Sequence, residues 1–130
     1  MLADLVREFY RLRAAGDRAG IAQLLAAGVE WTEPEIGDHL GRLVGRDAVL
    51  DMMARAAATT GGTFRLDVAA TTETARHCAA VIRWHAVKGA RAIDGEELAV
   101  FEIDDGRIVR ARFFAANLAD DEAFWATPER

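Results

Sequence analysis

Apolar residues in the first half of the chain recur every three or four positions, which is the spacing of one helix face. The first such stripe comprises Leu2, Leu5, Val6, Phe9 and Leu12. Ala14-Ala15-Gly16 then forms a helix stop, and Asp17 stands where it would cap a second, shorter helix that ends before Gly28. A third helix begins near Asp47 and ends at Gly61-Gly62. The pattern therefore predicts a helical hairpin followed, after an interruption, by a third helix.

The second half of the chain changes to the two-residue period of β-strands. We predict strands over 64–70, 77–87, 97–103 and 107–115. Asp105-Gly106 joins the last two as a tight hairpin turn, because both central residues of such a turn must tolerate a positive φ. A short strand at 29–32 ends at Pro34 and is expected at a sheet edge. The glycine-rich segment 35–45 that follows is expected to form a lid or rim loop.

The composition is that of one ordinary globular domain. With 130 residues, of which 52% are hydrophobic, the chain can bury one core. Because no repeat or linker interrupts it, we predict a single domain over 1–130. The net charge of −5, with 16 basic residues scattered among 21 acidic ones, disfavours nucleic acid. No apolar run is long enough to span a membrane. A single cysteine and an N-terminus unlike a secretion signal predict a cytoplasmic protein.

Four segments in a fixed order carry a family resemblance. They are Phe9-Tyr10 with Ala15-Gly16-Asp17, then VEWTEP at 29–34, GRDAV at 45–49 and VFEIDDGRIV at 100–109. Over nearly its whole length the chain resembles the nuclear transport factor 2-like superfamily, within it the SnoaL-like and ketosteroid isomerase-like branch. The resemblance implies an α+β cone-shaped barrel, in which a curved antiparallel sheet wraps around the N-terminal helices. It also implies a pocket for steroid-, polyketide- or terpenoid-like molecules, and frequent dimerisation through the sheet.

Glu33 is the first candidate catalytic residue. In ketosteroid isomerases a carboxylate immediately before a proline moves the proton, and Glu33 before Pro34 matches it. Those enzymes also use a tyrosine and a protonated aspartic acid as donors to the substrate oxygen, and the matching residues here are Phe9 and Ala99, so both donors are missing. Independently, strand alternation puts Glu33 on the same face as Trp31, and a tryptophan is usually buried. This favours Glu33 facing inwards, the alternative being a solvated or Arg-paired carboxylate.

His85 and Arg83 are the second pair of candidates, since two residues apart on a strand they share a face. If this face points into the pocket, it brings a cation and an imidazole near Glu33, which suits proton transfer. If Ala80, Ile82, Trp84 and Ala86 point inwards instead, the wall is apolar and both candidates lie on the convex face. Hydrophobicity favours the second arrangement, whereas counting against the isomerase pattern favours the first. We expect His85 to face the pocket.

The expected ligand contacts are mostly apolar. The predicted lining consists of Phe9, Trp31, Met53, Ala99, Phe101 and Phe113, with His39 and Leu40 of the rim loop over the ligand. The alternatives are that the apolar members only fill the core and that His39 is an exposed loop residue. The three histidines lack the spacing of metal ligands, so we expect no metal and no cofactor.

The outer face of the last strand predicts a homodimer. Arg110, Arg112 and Phe114 lie on it together, as a partner on the convex side of the sheet would require. Alternatively, arginine stems cover one exposed phenylalanine on a monomer.

Two functional hypotheses remain. The first is a cofactor-independent isomerase or cyclase that acts on an apolar ketone-like substrate, with Glu33 assisted by His85 or Arg83. The second is a non-catalytic ligand-binding or dimeric accessory domain, motivated by the two missing donors. Serine hydrolase chemistry is excluded, because the chain contains no serine.

Overall fold

A computed structural model describes residues 1–36 and 41–128. The helices in these ranges are α1 (Leu2–Ala14), α2 (Arg18–Leu24), α3 (Arg46–Thr59) and α4 (Leu118–Trp125). The strands are β1 (Leu25–Thr32), β2 (Arg42–Val44), β3 (Arg65–Glu73), β4 (His77–Lys88), β5 (Arg91–Asp104) and β6 (Arg107–Ala115). None of these helices combines the length and the apolar character needed to cross a bilayer.

The predicted helices form where local signals place them. The Asp17 side chain accepts a hydrogen bond from the Gly20 backbone N–H at 2.9 Å, which confirms it as the N-cap of α2. This helix ends at Leu24, earlier than expected, because Leu25 is already extended and begins β1. Helix α4 is not predicted by the pattern; its N-cap is Asn117, whose side chain accepts the Asp120 N–H at 3.1 Å.

The six strands form one sheet in the order β2-β1-β6-β5-β4-β3. Helix α1 packs against β3 and β4, and the α+β architecture with a curved sheet around the N-terminal helices is confirmed. The sheet is mixed rather than wholly antiparallel, because β1 pairs with β6 in parallel, and between β2 and β3 it is open rather than closed into a barrel. The edge position expected for 29–32 is wrong, since β2, at 42–44 in the expected loop, pairs with β1 from outside.

The sheet has an inner face, which packs on the helices, and an outer face. Buried inner-face residues include Cys78, Ala80, Ile82, Trp84 and Ala86 of β4, Ala99 and Phe101 of β5, and Ala111 and Phe113 of β6. In β6 a bulge opposite Glu102 and Ile103 also turns Ile108 inwards. Ile108 therefore lies on the inner face, although strict strand alternation would group it with Arg110, Arg112 and Phe114.

Two aromatic clusters organise the interior. One surrounds Phe101 and includes Trp31 and Phe113, whose ring centroids are 4.6 Å from each other. The other comprises Phe64, Trp84, Phe124 and Trp125 and holds α4 on the sheet. The Trp84 indole crosses β5 at Gly95, where a Cβ atom would lie 2.3 Å from the ring. Gly95 is thus the position that allows this ring to lie flat on the neighbouring strand.

Candidate functional site

A cavity of about 500 Å³ lies between the helices and the inner face of the sheet. Its size falls within the range of roughly 300–1,000 Å³ that is typical of small-molecule sites. The apolar part of its wall includes Leu43, Met52, Phe64, Leu66, Phe113 and Trp125. Its charged lining residues are Arg13, Glu33, Arg55, Glu97 and Asp121. A mostly apolar space with a few acidic and basic groups suits a molecule with an apolar skeleton and a polar end.

Glu33 lies at this wall, just beyond the end of β1. The indole N–H of the fully buried Trp31 donates a hydrogen bond to Glu33 Oε2 at 2.6 Å. A buried indole N–H needs an acceptor, so Trp31 fixes the position of the carboxylate. The Glu33 backbone N–H donates to the Gly41 carbonyl at 2.6 Å. Glu33 is therefore held from both its side chain and its main chain.

Glu97 is a second carboxyl group in the same cavity. It lies on β5, two residues before Ala99 and on the same face of the strand. Burial raises its pKa to about 8, and the negative charge of Glu33 adds to the effect, whereas Arg13 opposes it. Glu97 therefore keeps its proton at neutral pH. The sequence analysis does not single out Glu97, although strand alternation places it on the same face as Ala99, two residues away.

The Tyr10 hydroxyl is buried without a hydrogen-bond partner in the part of the chain that the structure describes. Burial raises its pKa well above the usual value, and the charges of Glu97 and Glu33 act in the same direction. Tyr10 borders an adjoining cavity of about 300 Å³, which shares Arg13 and Phe64 with the larger one. Phe9, which matches the tyrosine of ketosteroid isomerases, has no hydroxyl group, but the neighbouring Tyr10 has one.

Helix α4 closes one side of the larger cavity. Its Trp125 ring stacks on Trp84, with centroids 6.0 Å apart and planes at 20°. Asp121 also lines the cavity and is only 8% exposed. Its pKa is raised by burial and then by the charge of Asp120. Across the cavity, the Arg13 guanidinium lies 5.5 Å from the centroid of the Phe64 ring.

Arg83 and His85 lie on the outer face of β4, away from Glu33. Arg83 Nε is 3.6 Å from the carboxylate of Glu96, and His85 Nδ1 is 2.8 Å from Asp94 Oδ1. Both border a separate polar depression. The pocket-facing orientation expected for His85 is therefore corrected. The larger apolar side chains occupy the alternate positions of β4, and their burial decides which face of the strand points inwards. The hydrophobic pattern therefore predicts the correct face, whereas counting against the isomerase pattern predicts the wrong one.

The predicted apolar lining divides between wall and core. Phe113 borders the larger cavity and Met53 the smaller one. Four further candidates are core residues rather than wall residues, because they are fully buried and packed against each other or the sheet: Phe9, Trp31, Ala99 and Phe101. His39 and Leu40 lie outside the described residues. Within residues 1–36 and 41–128, no three His, Cys, Asp or Glu side chains converge as metal ligands would.

Comparison with known protein families identifies one family. The pattern that defines the SnoaL-like domain matches residues 6–111. The uncharacterised protein Rv0034 of Mycobacterium tuberculosis is 32% identical over 126 residues, which cover 95% of each chain.

Solved structures show the same fold. Bal32a, from a soil-derived mobile gene cassette, superposes with a TM-score of 0.90 at 26% identity over 95% of both chains. A putative SnoaL-like polyketide cyclase from Jannaschia sp. CCS1 gives a TM-score of 0.78 at 15% identity, covering 97% of this chain and 92% of its own.

Proposed function

This chain belongs to the SnoaL-like family, and from that premise we propose that it is an isomerase- or cyclase-type enzyme acting on an apolar, ketone-like molecule. Glu33 is the general base in this proposal. One observation carries it: a carboxylate held by the Trp31 indole N–H stands at the wall of a mostly apolar cavity of about 500 Å³. An apolar substrate bound in this cavity would displace water from around the base, which strengthens the interaction between the base and the substrate.

The proposed reaction begins with transfer of a proton from a carbon next to a carbonyl group to Glu33. The electron pair of the broken C–H bond forms an enolate. In an isomerisation, the proton returns from Glu33 to another carbon of the same system. In a cyclisation, the enolate carbon forms a bond with a second carbonyl carbon, whose oxygen takes up the proton. The second variant is supported by the likeness to a protein described as a putative polyketide cyclase.

The test is proton exchange in D₂O, followed by NMR on 2-tetralone and other apolar cyclic ketones. We expect the protein to accelerate loss of the proton next to the carbonyl. Glu33→Gln should slow this exchange at least about 100-fold, because a positioned base contributes roughly 10²–10⁴ in rate. The matched control is Glu35→Gln, which neutralises an exposed carboxylate two residues away. Equal exchange by wild type and Glu33→Gln would contradict the assignment of the base.

The alternative is a non-catalytic ligand-binding domain. It is favoured by the position of Arg83 and His85 on the outer face, because Glu33 then lacks both expected assistants. Native mass spectrometry of freshly purified protein separates the two functions. An apolar molecule that co-purifies unaltered, together with no exchange of any ketone tested, would favour binding over catalysis.

We also propose that two copies pair through the outer face of the sheet. Leu98 and Phe114 are cross-strand partners on this face and are 50% and 51% exposed. Farther along the same face, Arg110 contacts Glu30 at 3.0 Å and Glu102 at 3.2 Å. An apolar centre next to charges of both signs can complement itself about a two-fold axis.

A further inference from the structure

A narrow wall separates the larger cavity from its smaller neighbour. The smaller cavity, of about 300 Å³, lies between α1, α2 and α3. A side chain that borders both cavities lies at their boundary, and the shared side chains come from α1, from α3 and from the start of β3. They are Arg13, Ala56, Phe64 and Leu66. These side chains therefore decide whether a ligand in the larger cavity can also enter the smaller one.

The side chains that α3 and the start of β3 contribute to this wall keep fixed positions. Ala56 ends at its methyl group and fills little space. The Phe64 ring packs against Trp84 and Trp125, at centroid distances of 5.5 and 5.7 Å, and Leu66 is partly buried against the core. Side chains packed in this way are held by many contacts at once. The passage between the cavities therefore depends on the side chain that α1 contributes.

Arg13 crosses the gap that remains. It lies in the last turn of α1 and is half-buried. Its guanidinium stands over the Phe64 ring, 5.5 Å from the centroid, so the long side chain reaches from α1 towards the sheet. An apolar chain that passed this point would remove water from the guanidinium without giving it a new partner, which is costly. Arg13 therefore ends the space that is open to an apolar ligand.

We propose that Arg13 sets the maximum length of the ligand, by confining a straight aliphatic chain to the larger cavity. A short side chain in its place would join the two cavities. The inference rests on the proposed function only in that the ligand occupies the larger cavity. The smaller cavity suits an aliphatic extension, because its lining includes Ile21, Leu50 and Met53. Arg13 is thus a specificity-determining residue and takes no part in the proton transfer.

The test is a binding series of straight-chain methyl ketones, from 2-hexanone to 2-tridecanone, titrated against the full chain at neutral pH. A change in tryptophan fluorescence reports binding, because Trp84 and Trp125 line the larger cavity. In wild type, affinity should rise about 4-fold for each methylene group that is buried. The rise should stop at the chain length that reaches Arg13, since further methylene groups stay in water and add nothing.

Arg13→Ala should move this limit to longer ketones, because the chain can then enter the smaller cavity. Short ketones, which do not reach position 13, should bind the variant as they bind wild type. Arg13→Lys keeps a long, charged side chain and should keep the wild-type limit. The matched control is Arg7→Ala, which makes the same change at an exposed position earlier on the same helix and should also keep the wild-type limit.

Four results would overturn the proposal: the same limit in wild type and Arg13→Ala, a limit that moves equally in Arg7→Ala, no limit in wild type, or no binding of any ketone. The experiment is independent of the chemistry at Glu33. If the limit moves as expected but Glu33→Gln leaves proton exchange unchanged, the enzyme proposal fails and the role of Arg13 stands. If exchange depends on Glu33 and the limit does not move, the enzyme proposal stands and the role of Arg13 fails.

Discussion

Two glutamates share one cavity and differ in their surroundings. Glu33 receives the buried Trp31 N–H at 2.6 Å, whereas Glu97 faces the charge of Glu33 and has burial as the main influence on its pKa. When the environments of two carboxyl groups separate their protonation states, one is suited to accept a proton and the other to donate a hydrogen bond. The difference also has a consequence for stability, which can be measured without knowing the ligand.

Glu97 should make the folded state less stable as the pH rises. Its pKa is about 8 in the folded protein, against an ordinary value of 4.5 for a glutamate in water. Between these values the folded state binds one proton more than the unfolded state. The associated stability is present below about pH 4.5 and is lost as the pH rises through about 8, at roughly 1.4 kcal/mol per pH unit. Urea unfolding at several pH values should show this slope.

Glu97→Gln should flatten most of the slope, because the amide does not titrate. Burial also raises the pKa of Asp121, which acts in the same direction and leaves a residual slope. Glu96→Gln should keep the wild-type slope. Equal slopes in wild type and Glu97→Gln would mean that Glu97 is ionised at neutral pH in the folded protein.

At the scale of residues, the orientation of a side chain can be predicted where a large buried neighbour on the same face decides it. Trp31 is buried, and Glu33 lies on its side of the strand. The expectation for His85 is wrong because it follows the alignment with the isomerase pattern instead of the burial of Ile82 and Trp84. Glu97 and Tyr10 escape prediction for another reason. The spacing of Glu97 from Ala99 indicates only the face of the strand on which it lies, whereas the charge of Glu33 and the cavities beside the two residues come from segments distant in the sequence.

At the scale of elements, local signals predict what local interactions form. The turn at Asp105-Gly106 has φ values of 51° and 72°, as the hairpin requires, and α1, α3 and β6 lie where the pattern places them. Strand β2 and helix α4 are not predicted. The first has only three residues and exists through its pairing with β1, and the second is held by contacts of Phe124 and Trp125 with Trp84.

Gly95→Ala tests how tightly the aromatic cluster of Phe64, Trp84, Phe124 and Trp125 is packed. The new Cβ atom would stand 2.3 Å from the Trp84 ring and force it away from β5. We expect a loss of about 1–3 kcal/mol in unfolding free energy, typical of overpacking, and a changed near-UV spectrum as Trp84 leaves Trp125. Gly28→Ala is the matched strand control, because no atom lies within 4 Å of its added Cβ. Equal losses in both variants would contradict this account of Gly95.

At the scale of the whole molecule, the outer face of the sheet carries exposed apolar side chains. Leu98 and Phe114 form an exposed apolar pair at its centre. Isolated exposed apolar residues are common, but a cross-strand pair bordered by ion pairs is typical of an interface. The predicted grouping of Arg110, Arg112 and Phe114 on this face agrees with their exposure.

Phe114→Glu should dissociate the proposed dimer, because it places two carboxylates at the two-fold axis or close to it. Sedimentation velocity should show a dimer for wild type and a monomer for the variant. Leu118→Glu is the control, since Leu118 is 43% exposed but lies on α4. A wild-type monomer, or a variant that sediments as wild type, would contradict the proposed interface.

The parallel pairing of β1 with β6 sets Trp31 beside Ala111, and the cavity wall continues beyond them to Trp125. The SnoaL-like pattern, however, matches only residues 6–111. The flank built by Phe113, Asp121 and Trp125 thus lies outside the shared pattern. These three side chains follow the matched segment along the chain, so a substitution at Phe113 or Trp125 can change the shape of the cavity and leave the segment that identifies the family unaltered.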